Sequence, residues 1–139
     1  MFKKWKLGVA LFAIVGMLAA FGTGCGDDDD GGSSDVKAAF IYVGPPGDAG
    51  WTWAHDQGRS CAEEATGATT SYVESVPEGT ADFANYARDF IDQGYGVIIG
   101  TSFGYMDDML ALADEYPDVV FDHVSGYKNN ESNFGNTFG

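Results

Sequence analysis

From Val36 onward the chain alternates short, continuously apolar runs with longer amphipathic ones, a pattern that a parallel α/β sheet with crossover helices satisfies. The run Val36 to Val43 holds Ala38, Ala39, Phe40, Ile41, Tyr42 and Val43 without a polar break, as a strand covered on both faces requires. A helix is expected from about Thr52 to Ala65, with Ala54, Gly58, Cys61, Ala62 and Ala65 on one side for close approach to a sheet, and Gly67 ends it. Thr69 to Glu74 reads as the second strand. Thr80 then caps a second helix, in which Phe83, Tyr86, Ala87, Phe90 and Ile91 recur at helical spacing until Gly94. Val97 to Ile99 is the third strand, and a third helix bears Met106, Met109, Leu110 and Ala113 before Pro117. Val119 to Val124 and Asn133 to Phe138 complete the set. The order β-α-β-α-β-α-β-β with right-handed crossovers predicts a doubly wound, mostly parallel sheet. Ligands bind such sheets outside the carboxyl ends of the strands, which directs attention to the loops Gly44 to Thr52, Glu74 to Thr80, Gly100 to Tyr105 and Ser125 to Asn130.

The segment before this domain is an export leader by composition. Lys3, Lys4 and Lys6 precede an apolar run from Leu7 to Phe21, and small residues lead to Cys25. The run is shorter than the roughly 20 apolar residues that span a bilayer, so residues 1–24 read as a signal peptide that is removed. Cys25 stands where a bacterial lipoprotein carries its lipidated cysteine, after the small residues Gly22, Thr23 and Gly24. Gly22 occupies the position where leucine is usual, so ordinary cleavage stays open as the alternative. Residues 25–34, with four consecutive aspartates among glycine and serine, read as a solvated tether. The expected location is extracytoplasmic, at the cell membrane or in the periplasm, with a lipid anchor. The domain itself is the 105 residues that remain when the first 34 of the 139 are set aside, enough for one small domain.

Charge narrows the partners. The formal net charge is −14, and removal of the three leader lysines leaves −17. Only Lys37, Arg59, Arg88 and Lys128 remain after Cys25, so the basic patch that nucleic acid requires is missing. With Cys25 committed to lipid, Cys61 is a lone thiol, read as a buried small residue.

Three constellations bear on chemistry. The loop Gly44-Pro45-Pro46-Gly47-Asp48-Ala49-Gly50-Trp51-Thr52 is glycine-rich and follows a strand, but a phosphate-binding loop needs lysine after its last glycine, and Trp51 stands there. It offers a carboxylate, backbone N–H groups at a helix start, and an indole, a set that suits a flat polar heterocycle. Asp48 is equally readable as the helix cap alone. Trp51 and Trp53 point roughly 200° apart on a helix, so one is expected in the core and the other at the cleft. Second, Gly100-Thr101-Ser102-Phe103-Gly104 matches the G-x-S-x-G nucleophile pattern, with His123 and Asp118 or Asp122 following in hydrolase order. His123 falls inside a strand instead of on a late loop, so the favoured reading is a tight turn presenting Ser102, Phe103 and Tyr105 to a ligand. Third, His55 and His123 are far apart and give no metal-ligand spacing; no metal and no cofactor is expected.

The stretch from Lys37 to about Phe138 resembles the basic membrane protein family, the lipid-anchored substrate-binding components of bacterial ABC importers. The resemblance rests on Val43-Gly44-Pro45, Gly47-Asp48-Ala49-Gly50-Trp51-Thr52, Asp56-Gln57-Gly58-Arg59, Val76-Pro77-Glu78-Gly79, Gly94-Tyr95 and Gly100-Thr101-Ser102-Phe103-Gly104-Tyr105. It implies the first lobe of a type I periplasmic-binding-protein fold, with a second lobe absent from this chain, a non-enzymatic role, and a permease as partner. Trp51 resembles the aromatic residue that stacks on the base in nucleoside-binding relatives, and Thr52 replaces an asparagine. Ser125 stands where ribose-holding relatives carry an aspartate, which favours a free purine base. The implied ligand set is Asp48, Trp51, Thr52, Ser102, Phe103, Tyr105 and Ser125. A ligand sensor for a membrane signalling partner is the alternative to a transport component.

Overall fold

The computed structural model describes residues 35–138, and the leader, Cys25 and the tether lie outside them. Five strands form one parallel sheet: β1 Lys37–Ile41, β2 Thr69–Val73, β3 Val97–Gly100, β4 Val120–Val124 and β5 Phe134–Thr137. Three helices make the first three connections, α1 Trp51–Thr66, α2 Asp82–Asp92 and α3 Met106–Glu115, and β4 runs into β5 through residues 125–133 with no helix between them. The spatial order is β2-β1-β3-β4-β5, so the strand order reverses beside β1, and every pairing is parallel. The expected elements are all present, with ends shifted by one or two residues and short 3-10 turns added at Pro46–Asp48 and Phe103–Tyr105.

Register explains which residues make the core. Ala39, Ile98, Phe121 and Phe134 lie side by side across four strands and are all buried. They pack against Phe83 and Ala87 of α2 and Met109, Leu112 and Ala113 of α3. Each large apolar side chain buried in this layer contributes about 1.5–3 kcal/mol relative to exposure. The next row, Phe40, Ile99, Asp122 and Gly135, faces the other way and is half-buried or exposed. Tyr86, expected on the packed face of α2, is exposed, because Phe83 and Ala87 already meet the sheet. Thr80 does act at the helix start: its hydroxyl accepts the Asp82 N–H at 3.2 Å, although Ala81 is the residue that precedes the first helical turn. Gly67 and Gly94 end α1 and α2 with φ of 69° and 83°, values that suit a residue without a side chain.

Helix α1 overturns one expectation. Ala54, Gly58, Cys61, Ala62 and Ala65 all face solvent, and Cys61 is an exposed free thiol instead of a buried one. The helix lays Thr52, Asp56 and Arg59 toward the sheet. Arg59 donates to Asp56 at 2.8 Å, to Thr70 at 2.8 Å and to Glu63 at 3.2 Å, and its guanidinium lies 5.1 Å from the Tyr72 ring centre. Tyr42, fully buried, donates its hydroxyl to Asp56 at 3.3 Å. Burial, then the neighbouring Asp56 charge, push the Tyr42 phenol well above its ordinary range. The reason for the reversal is energetic: alanine and glycine lose little by exposure, whereas a guanidinium with four partners over a tyrosine-bearing sheet gains by being drawn in. Arg59→Ala leaves Asp56 half-buried without its cation, and a loss of about 2–3 kcal/mol of stability is expected in urea unfolding. The exposed Arg88–Glu115 pair, at 2.7 Å, is the control, and its removal should leave the urea midpoint nearly unchanged because solvent screens it.

Candidate functional site

The four loops singled out in the sequence do gather at the carboxyl ends of the strands. Asp48 is the keystone of the first. Its Oδ1 accepts the N–H groups of Gly50 at 2.8 Å and Trp53 at 3.0 Å, and its Oδ2 accepts that of Thr52 at 3.0 Å. Those bonds, from Gly50, Trp53 and Thr52 in order of weight, hold the carboxyl below its ordinary range. The N–H groups that the sequence left available for a ligand are therefore occupied by the loop's own carboxylate. Ala49, with φ 54°, takes the left-handed conformation that folds the loop back onto the helix start.

Trp51 opens α1, and its indole N–H donates to the Thr101 carbonyl at 2.6 Å, which ties the first loop to the loop after β3. The ring packs on His55 at 4.4 Å between centres and stays 47% exposed. Trp53 is 49% exposed, so neither indole joins the core, contrary to the division expected from their helical spacing. Both lie on a helix whose only buried residue is Thr52.

The remaining predicted residues divide sharply. Phe103 is 56% exposed and sits 6.3 Å, centre to centre, from Tyr127, itself 71% exposed. Ser102 is half-buried; its hydroxyl donates to Glu78, and its carbonyl accepts from His123 Nε2 at 2.7 Å. Thr52 is buried, and its hydroxyl, against Gly44, has no hydrogen-bond partner among the described residues. Tyr105 is also buried, donating to the Val76 carbonyl at 2.6 Å and packing on Phe83. Ser125 holds a φ of 71° and donates its N–H to Thr137 at 3.0 Å. The exposed surface of the cluster thus comes from Trp51, Phe103 and Tyr127, while Thr52 and Tyr105 support it from beneath.

Two members were missed by the sequence reading. Tyr127 lies in the Ser125 to Asn130 loop, where an aromatic residue at a strand's carboxyl end was a usable signal. Glu78 lies in the Val76 to Gly79 loop, but nothing in its local sequence announces a partner 24 residues away. Its carboxyl is held below the ordinary range by the Ser102 hydroxyl first and the Gly104 N–H second.

The hydrolase arrangement does not form. The Ser102 hydroxyl points to Glu78, and the His123 ring engages the Ser102 carbonyl and, at 3.4 Å, Asn136. Among the described residues no group of three His, Cys, Asp or Glu side chains is placed to hold a metal ion. A recess of about 350 Å³ lies between β4, β5 and residues 129–133, lined by Val120, Asp122, Asn133 and Gly135 among others, and contains none of the aromatic residues of the loop cluster that face solvent.

Known proteins share this architecture and this sequence. A family model described as ABC transporter substrate-binding protein PnrA-like matches residues 35–139. A purine-binding protein of Brucella abortus is 46% identical over 95 residues, covering 67% of this chain and 27% of its own. A Haloferax volcanii protein, provisionally named an ABC transporter glucose-binding protein, is 42% identical over 120 residues, covering 80% of this chain and 30% of its own. The chain therefore spans somewhat under a third of the length of these relatives. Among solved structures, a solute-binding protein of an ABC transporter system from Conexibacter woesei superposes with a TM-score of 0.61 at 21% identity, over 74% of this chain and 35% of that one. A transcriptional activator of the comK gene from Bacillus halodurans gives 0.62 at 17% identity, over 73% and 33%. These structures establish the fold as a lobe of the solute-binding type, and the family match over residues 35–139 establishes the lineage: the chain belongs to the Bmp family of PnrA-like ABC transporter substrate-binding proteins.

Proposed function

We propose that this lobe binds a purine base or nucleoside by stacking it on Trp51, as part of an exported receptor that is held at the membrane through lipidated Cys25 and hands its ligand to an ABC permease. The observation that carries the reading is the half-exposed indole of Trp51, fixed by its own N–H to the Thr101 carbonyl of the loop after β3, at the carboxyl ends of the strands. A clamped aromatic face loses little conformational freedom on stacking, and π-stacking tolerates any flat heterocycle. Phe103 and Tyr127 add exposed aromatic surface in the same loop cluster, and Ser102 and Ser125 are the polar residues of those two loops that would meet the ligand's edge. Asp48 acts by holding the loop's shape. The Brucella relative's purine-binding name supports the ligand class; the Haloferax relative's glucose-binding name makes a sugar the competing ligand, since sugars also dock on aromatic faces.

Isothermal titration of the full-length protein with adenine, guanine, hypoxanthine, their ribosides and glucose decides the matter. Heat with one or more purines, and tighter binding of the base than of its riboside, is the expected result. Binding of glucose with no response to any purine would sink the reading. The comK activator shows that the same fold occurs in a regulator, so transport and ligand sensing are separated by the partner: co-purification with a permease supports the first.

A further inference from the structure

Glu78 stands on the loop after β2, yet its side chain serves the loop after β3, and β1 lies between those two strands in the sheet. One carboxylate oxygen, Oε1, accepts both the Ser102 hydroxyl and the Gly104 N–H, the latter at 2.8 Å. Gly104 is shaped to this contact. A Cβ placed there would stand 2.5 Å from Glu78 Cδ, 2.7 Å from Oε1 and 2.9 Å from Cβ. Its backbone does not adopt the left-handed conformation seen at Gly67, Gly79 and Gly94, so what excludes a side chain at this position is the carboxylate lying across it. From the other side, His123 Nε2 donates to the Ser102 carbonyl. The residue before Ser102 is Thr101, whose carbonyl anchors the Trp51 indole. Contacts therefore run without a gap from Glu78 through Ser102 and Thr101 to Trp51.

We infer that Glu78 is a positioning residue of the ligand site, clasping the 101–104 segment so that the Trp51 indole is seated on Thr101. The inference deepens the ligand site proposed above and rests on that reading only for its consequence in affinity. The clasp also assigns the Ser102 hydroxyl: its proton is spent on Glu78, which leaves Ser102 able to accept from a ligand but not to donate.

The test reads Trp51 in the full-length protein without ligand, as the difference in emission and acrylamide quenching between each variant and its Trp51→Phe counterpart. Glu78→Ala is expected to raise the Trp51 quenching constant about two-fold, because the indole loses its seat. Glu78→Gln, whose amide oxygen still accepts both bonds, should restore the wild-type signal. Gly104→Ala drives a methyl group into the carboxylate and should reproduce the Glu78→Ala signal, and the double variant Glu78→Ala/Gly104→Ala should be no worse than Glu78→Ala alone. An unchanged Trp51 signal in Glu78→Ala, no rescue by Glu78→Gln, or additive effects in the double variant would each overturn the clasp. Ser102→Ala, which removes only the donor hydroxyl, carries the same decision if circular dichroism shows Glu78→Ala to be unfolded. Failure of every purine to bind, with the Trp51 response intact, would count against the proposed function and leave the clasp standing.

Discussion

Gly126→Ala is expected to destabilise the domain by about 3 kcal/mol, the sum of overpacking and a disturbed buried hydrogen bond. Gly126 is buried, and a Cβ there would lie 2.5 Å from Asn136 Oδ1 and closer still to His123 Nδ1. Neither neighbour is a flexible tip that can swing away. His123 is fully buried on β4, with Nε2 donating to Ser102; Asn136 is on β5, with its amide donating to the Lys128 carbonyl. To admit the methyl group the imidazole must turn, which releases the Ser102 carbonyl, or the 125–128 segment must lift, which breaks the bond from Asn136 to the Lys128 carbonyl. By the first route the effect should reach beyond stability, loosening the loop that seats Trp51. Gly135→Ala is the matched control. A Cβ at that strand position meets nothing within 4 Å, so a change within about 0.5 kcal/mol is expected. Urea unfolding of the two variants side by side checks the contrast, and equal stabilities would show that the His123 contacts do not constrain Gly126.

Trp51→Ala should weaken purine binding by about 1–3 kcal/mol, the range for stacking of a base on an aromatic side chain, or about 5- to 150-fold in Kd. Two losses combine. The stacking face disappears, and so does the indole N–H bond that joins the first loop to Thr101. Trp51→Phe separates them, because phenylalanine keeps a ring and lacks the donor; an intermediate affinity is the expected outcome. Trp53→Ala makes the comparison specific. Trp53 is exposed to the same degree as Trp51, but only its backbone N–H takes part in the loop, through Asp48. Titration calorimetry that showed Trp53→Ala to be as damaging as Trp51→Ala would move the stacking site to the wrong indole.

Much of the fold was legible because it depends on local rules. Unbroken apolar runs such as Ala38 to Val43 and Val97 to Ile99 permit few states other than buried strands, and glycine stops at Gly67 and Gly94 are required by backbone geometry. The orientation of α1 was not legible. Its small residues and its charged residues each make a plausible inner face, and the choice fell to Tyr42 and Tyr72, which only strand pairing sets beneath Arg59 and Asp56. Asp48 shows the same limit on a smaller scale. Both of its readings fitted the loop, and the three backbone N–H groups it binds are visible only once the loop has closed.

At the candidate site, residue type and loop membership were enough to place Trp51, Phe103 and Ser102 at the carboxyl ends of the strands, where ligands meet parallel sheets, but not to tell an exposed ring such as Phe103 from a packed one such as Tyr105. Tertiary structure decided what each does. It put Thr52 and Tyr105 underneath, brought Tyr127 beside Phe103, and turned the Ser102 hydroxyl toward Glu78 and away from His123. The sequence by itself determined the order and kind of the elements, because hydrophobic period and turn chemistry act over a few residues. Exposure and pairing within the loop cluster arise from contacts between segments 21 to 50 residues apart, whose geometry exists only after the sheet has assembled.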